Sequence, residues 1–230
     1  LSKHLGLAIR RVLSLVIPIC VLLPVMAPVL AELLWGYGGA RDSLRPLALT
    51  VVLFAPGLAV FTVHYLVLRG LFALERHRTV FWIQCLIAAS NVGLGYALMS
   101  ASSHYAAAPL LAAAYSGAYL IGAGVSLCVL NRLVGGLGYR ALMCFLSRVL
   151  LLGGLVAIAA LGSRALLEVV WPAELGAGAG KIRAVGQLLL MLSTSLAVAL
   201  AVSRPLRIEE ITGVVSAAAN RLRHHAGLRV

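Results

Sequence analysis

The chain is poor in charge and poorer still in acid. Only 11% of its 230 residues are charged, against about 25% in soluble domains. The seven acids are Glu32, Asp42, Glu75, Glu168, Glu174, Glu209 and Glu210, and all fall in loops or near the ends of apolar runs. No two carboxylates therefore share an apolar run for acid–base work, and no nucleophile stands with a base and an orienting group. The pattern is not that of an enzyme. Cysteine is scarce too. Cys20, Cys85, Cys128 and Cys144 lie within or at the start of apolar runs and make no CxxC pair. They read as small buried hydrophobes, not as a disulfide or metal framework. His224 and His225 are adjacent, so a helix points them to different faces, and no metal site or cofactor is expected. Gly135-Gly136-Leu137-Gly138 is not followed by the Lys-Ser/Thr pair of a phosphate loop.

Apolar residues are what the chain has in abundance. They make up 62% of it, and the mean hydropathy is +1.02. This is the composition of an integral membrane protein. With about 20 apolar residues per crossing, six spans are expected near 12–35, 47–68, 79–100, 106–130, 141–163 and 184–203. Hydrocarbon leaves uncovered backbone polar groups unsatisfied, so each run must be helical and no strand is expected. The fold class is all-α, a polytopic membrane helical bundle. The first run, Val12–Trp35, follows Lys3, Arg10 and Arg11 and contains Pro18, Pro24 and Pro28. It is too long for the apolar region of a signal peptide, so it reads as a true span. The chain begins with Leu rather than Met, and a fragment of a longer protein is expected.

A net charge of +12 invites a nucleic-acid reading, but the basic residues sit in loops between spans, where they face anionic lipid headgroups. Nucleic acid is not expected as a partner. The loops also set orientation. One side collects 14 basic residues: Lys3, Arg10, Arg11, Arg69, Arg76, Arg78, Arg132, Arg140, Arg148, Arg204, Arg207, Arg221, Arg223 and Arg229. The other collects five: Arg41, Arg45, Arg164, Lys181 and Arg183. The positive-inside rule then places both termini in the cytoplasm.

Proline marks the first two spans. Three in span one, and Pro56-Gly57 in span two, remove helix hydrogen bonds and predict bends. Bends in span one suit either a flexing transporter or an irregular packing helix. In span four Ala114, Ala118, Gly122 and Ser126 recur every four residues on one face, which lets a neighbouring backbone come close. Gly176-Ala177-Gly178-Ala179-Gly180 reads as a flexible connector between the last two spans. Beyond Pro205, residues 207–230 have helical spacing of Ile208, Ile211, Val215, Ala218 and Leu222 among arginines. They read as a basic amphipathic tail on the inner membrane surface, or as the start of a linker to a cytoplasmic domain or partner.

Polar groups inside a membrane are costly and are functional candidates by default. These are His64, Gln84, Asn91, Arg148 and the run Ser193-Thr194-Ser195, with Arg69, Arg76 and Arg78 in the charged hinge between spans two and three. Gln84, Ala88, Asn91 and Gly95 share a face that either lines an aqueous cavity or bonds to a neighbouring helix. His64 reads as interfacial, near the headgroups. Arg148 either snorkels to the surface or meets an anionic head. The Ser/Thr run is expected to bond back to helix carbonyls.

Two segments resemble a known family. AIRRVLSLVIPICVLLPVMAPVLAELLWGYGG and RGLFALERHRTVFWIQCLIAASNVGLGY are similar to segments of the MurJ/MviN lipid II flippases, within the multidrug/oligosaccharidyl-lipid/polysaccharide exporter superfamily. In the second segment Arg69, Phe72, Ala73, Arg78, Thr79 and Asn91 fill the family's positions, and Val80 stands where the family often has Pro. LNRLVGGLGYRALMCFLSRVLL resembles the basic loop after the next span. The resemblance spans roughly residues 8–206 and corresponds to the last six of fourteen spans. It implies that residues 1–206 are the C-terminal transmembrane lobe of a protein that moves lipid-linked peptidoglycan precursor across the bacterial inner membrane by alternating access. It also implies partners, namely lipid II, membrane lipid and the N-terminal spans, and a lipid-tail groove between the last two helices. Arg69, Arg76, Arg78, Gln84, Asn91 and Arg148 are the substrate-cavity or gate candidates. A flippase for another polyprenyl-linked saccharide, or a non-transporting membrane scaffold, are the other readings.

Overall fold

The computed structural model describes residues 2–36, 44–102, 107–134, 139–170, 177–203 and 205. These residues form six helices and no strand: α1 (Ser2–Trp35), α2 (Leu44–Ala73), α3 (His77–Ser100), α4 (Ala107–Val134), α5 (Tyr139–Val170) and α6 (Ala177–Ser203). Each contains a segment long and apolar enough to cross a membrane. At 1.5 Å per residue even the 24-residue α3 extends about 36 Å, beyond the roughly 30 Å of hydrocarbon it must cross. The expected all-α bundle of six spans is therefore present.

The helices run further than the apolar runs. Leu, Ala and Arg at the run ends are good helix formers, so the hydrogen-bond ladder continues until a turn stops it. The connector between α5 and α6 is accordingly shorter than expected. Residues 177–183 are helical; the Gly-Ala alternation lacks a side-chain pattern that would have marked a helix. α1 and α2 stay helical through Pro18, Pro24, Pro28 and Pro56. The Gly135–Gly138 loop and the tail from Arg207 lie outside the described residues.

The α2–α3 turn is three residues long. Arg76 N–H donates to the Leu71 carbonyl (3.0 Å) and Glu75 N–H to that of Phe72 (2.9 Å). This pair of bonds is the Schellman ending of a helix. It puts Glu75 at φ 58°, the left-handed position that Gly fills at least cost. Val80 N–H then bonds back to the Arg76 carbonyl at 3.1 Å and α3 begins.

Packing divides the helices into two groups. The small face of α4 is buried at all four expected positions, Ala114, Ala118, Gly122 and Ser126. Through it α4 lies against α2 and α3, around a core of Val67, Leu71, Ile83, Ile87 and Leu130. α5 and α6 pack on each other and on α1, where Met26, Val29, Ala160, Ala184 and Met191 are buried. α1 also packs along α2, so it is the helix common to both groups. Outward-facing residues are largely apolar, as lipid requires. Trp82 near one end of α3 and Tyr96 near the other are 69% and 78% exposed, the positions of the two aromatic belts at the membrane interfaces.

The cysteines depart from expectation. Cys20 is buried, but Cys85, Cys128 and Cys144 are exposed. In an apolar span, composition does not say which side faces lipid, and a thiol is tolerated on either.

Candidate functional site

Six helices in succession alternate direction. One end of the bundle therefore gathers Arg10, Arg11, Arg69, Arg76, Arg78, Arg132 and Arg148, and the other Arg45, Arg164, Lys181 and Arg183. The hinge arginines stand on the α2–α3 turn. All three are exposed. Arg69 lies over the Tyr65 ring at 4.9 Å and donates to its hydroxyl at 3.3 Å. The ring holds a long cation at the surface, in the manner of a cation–π contact.

The other candidates are not gathered into one constellation. Gln84 and Ala88 face outward from α3, Asn91 is half-buried and Gly95 is buried, against Leu111 and Ala114 of α4. The shared face thus begins on the outer surface of the bundle and turns inward toward α4. Arg148 is exposed on α5, in the other group of helices. Near it Arg10 of α1 stacks over Phe145 at 5.7 Å, which closes the α1–α5 seam with a second basic patch.

His64 is packed in a way that its sequence surroundings do not announce. It is 1% exposed and faces α4. Its Nδ1 lies 3.0 Å from the Ser126 hydroxyl and its ring meets Tyr119 edge-on at 5.9 Å. The partner is 62 positions away, so no local pattern could have paired them. An aromatic row, Phe54–Tyr115–Tyr119–Phe61, runs along the same α2–α4 seam with ring centroids 4.5–5.1 Å apart. The Ser/Thr run behaves as expected at two positions. Ser193 donates to the Leu190 carbonyl at 3.0 Å and Thr194 to the same carbonyl at 2.8 Å. Ser195 is buried with its hydroxyl unpartnered. Sequence reasoning passed over Gln187, which is 7% exposed in α6; its isolation in a Leu-rich run was signal enough. A half-open cavity of about 720 Å³ lies at the end opposite the hinge, lined by Pro28, Arg45, Pro46, Leu49, Val52 and Pro109.

No group of three or more metal-ligating side chains occurs among the described residues. The arrangement offers surface cations at both ends, more of them at the hinge end, apolar outward faces and a few buried hydroxyls and amides. Those are the means to cross a bilayer and to meet an anionic amphiphile, and they define a multi-pass membrane protein. Its family follows from comparison: the family model described as Lipid II flippase MurJ matches residues 1–175. The chain belongs to that family. The match covers α1–α5 and stops before α6. Neither the curated proteins nor the solved structures return a match.

Proposed function

We propose that the chain is the C-terminal transmembrane lobe of a lipid II flippase, which carries the lipid-linked peptidoglycan precursor across the bacterial plasma membrane. The family match over residues 1–175 carries this reading. The end bearing Arg69, Arg76 and Arg78 lies in the cytoplasm, as the excess of basic residues there favours. That end receives the pyrophosphate-linked head. The cavity forms between this lobe and the N-terminal spans, and rocking of the two lobes opens it to each side in turn. The outward start of the Gln84–Asn91 face, on a helix otherwise clothed in apolar side chains, supports a role for it against the other lobe. The packing of α5 with α6, apart from α2, α3 and α4, suits a groove for the lipid tail. This lobe alone does not transport.

The test is depletion of the intact protein in cells. Lipid II should then accumulate on the inner leaflet and become inaccessible from outside. Continued delivery to the outer leaflet sinks the assignment, and points to another polyprenyl-linked saccharide or to a scaffold. Within the lobe, replacing both Gln84 and Asn91 by Leu should abolish complementation at normal protein abundance. Full complementation by that variant would reduce the pair to packing groups.

A further inference from the structure

The His64 side chain is oriented by a hydroxyl whose own proton is already used. Ser126 Oγ donates to the Ala123 carbonyl at 3.1 Å. A hydroxyl has one proton, so in the 3.0 Å contact with His64 the imidazole Nδ1 donates and Ser126 accepts. That fixes the tautomer: Nδ1 carries the hydrogen and Nε2 carries a bare lone pair. Nε2 is buried and has no partner. An unpaired acceptor in a low-dielectric seam is costly, and this acceptor is also the most basic kind of side-chain atom near neutral pH.

We propose that His64 is a proton-binding site within the lobe, and that occupying it loosens the α2–α4 seam. The step is the transfer of one proton from solvent to the Nε2 lone pair. One N–H bond forms at Nε2, one O–H bond of a hydronium ion breaks and leaves water, and the ring passes from neutral to a single positive charge. Nδ1–H stays on Ser126. The new Nε2–H has no acceptor in the closed seam, and the new charge has no counter-ion there. From α4 the ionisable groups on this seam are Tyr115 and Tyr119, and from α2 itself Tyr65. α3 contributes none between Arg78 and Tyr96 except the exposed Cys85, and α1 none between Arg11 and Glu32 except the buried Cys20. Arg69 and Arg132 stand at the ends of α2 and α4, both positive. The cation therefore needs water, and water reaches it only if α2 and α4 part. His64 sits nine residues before the end of α2, about 13 Å along the axis, so parting at the hinge end suffices. None of this depends on which lipid the protein carries.

The experiment is nitrogen-15 NMR of histidine-labelled protein in nanodiscs, with His64 assigned by its loss in His64→Asn, taken from about pH 8 to about pH 4. At the alkaline end the His64 pair should read as protonated Nδ1 and bare Nε2, the minor tautomer in water. On acidification it should convert to imidazolium. With the exposed Cys85 and Cys144 replaced by Ala, a spin label on Cys128 of α4 and one on an Ala73→Cys site on α2, both exposed positions, should move apart through the same range. In His64→Asn, which keeps a donor toward Ser126 but has no basic nitrogen, the separation should stay at its alkaline value. A protonated Nε2 at alkaline pH, a ring that stays neutral throughout, or an acid-induced separation that persists in His64→Asn would each overturn the proposal. Where His64→Asn fails to fold, the six histidines are few enough for assignment by Ser126→Ala, which should shift only the His64 tautomer signals.

Discussion

Replacing Gly57 by Ala is the sharpest test of how α2 and α4 meet. A Cβ built on Gly57 comes to 2.9 Å from the Ser116 Cα and 3.0 Å from its Cβ, where 3.4 Å begins ordinary contact. The obstacle is backbone, so it cannot rotate away, and the helices must part by about 0.5 Å. Parting also weakens the bond from Ser116 Oγ to the Leu53 carbonyl, now 2.6 Å. Overpacking of this kind costs about 1–3 kcal/mol, and an interhelical bond in a membrane contributes about 0.6 kcal/mol. Ala returns about 1 kcal/mol through helix propensity. The net loss is about 1–2 kcal/mol, or a fall in melting temperature of about 2–8 °C for a chain of this size. Gly122→Ala is the control. Its Cβ collides with the Cδ1 and Cγ1 atoms of Ile87 but stays 3.7 Å from the Ile87 Cβ. A rotamer adjustment costing about 1 kcal/mol cancels the gain in propensity. At Gly124 nothing lies within 4 Å, and Ala should be neutral or stabilising. Melting of the three variants in one detergent, followed by monodispersity, should rank them Gly57→Ala lowest and Gly124→Ala highest. A Gly57→Ala protein that melts at or above the Gly124→Ala protein refutes the close approach of α2 to Ser116.

Two further outcomes follow from local geometry. Glu75→Gly removes a left-handed non-glycine residue and should stabilise the hinge by about 1 kcal/mol; a lower melting temperature would mean that the turn is held by the Glu75 side chain instead. Maleimide should modify Cys85, Cys128 and Cys144 in detergent and spare Cys20 until the protein unfolds, and equal labelling of all four would contradict the packing of α1.

Much of the architecture was legible because it follows from solvent and period. Hydrocarbon forces helices, so the six apolar runs became six helices, and the four-residue recurrence of Ala114, Ala118, Gly122 and Ser126 located a buried face correctly. Other features were out of reach for definite reasons. Three of the four cysteines point outward because, in a lipid-facing helix, outside is as apolar as inside. The burial of His64 was not legible because it depends on a serine on another helix. The Glu75 turn carries no glycine to announce it. The hinge arginines were visible as charge, yet their spread over exposed positions, apart from Arg148 on α5, comes only from the way the helices group.

That grouping gives α1 a particular standing. It touches α2 on one side and the α5–α6 pair on the other, while the chief contacts of the two groups stay within each. A displacement of the pair relative to α2, α3 and α4 therefore registers first in the shape of α1. The same helix lacks three backbone donors, at Pro18, Pro24 and Pro28, each the loss of a stiffening bond. The bundle is thus articulated along its most compliant rod, and whatever curvature α1 adopts sets the distance between the two groups of helices.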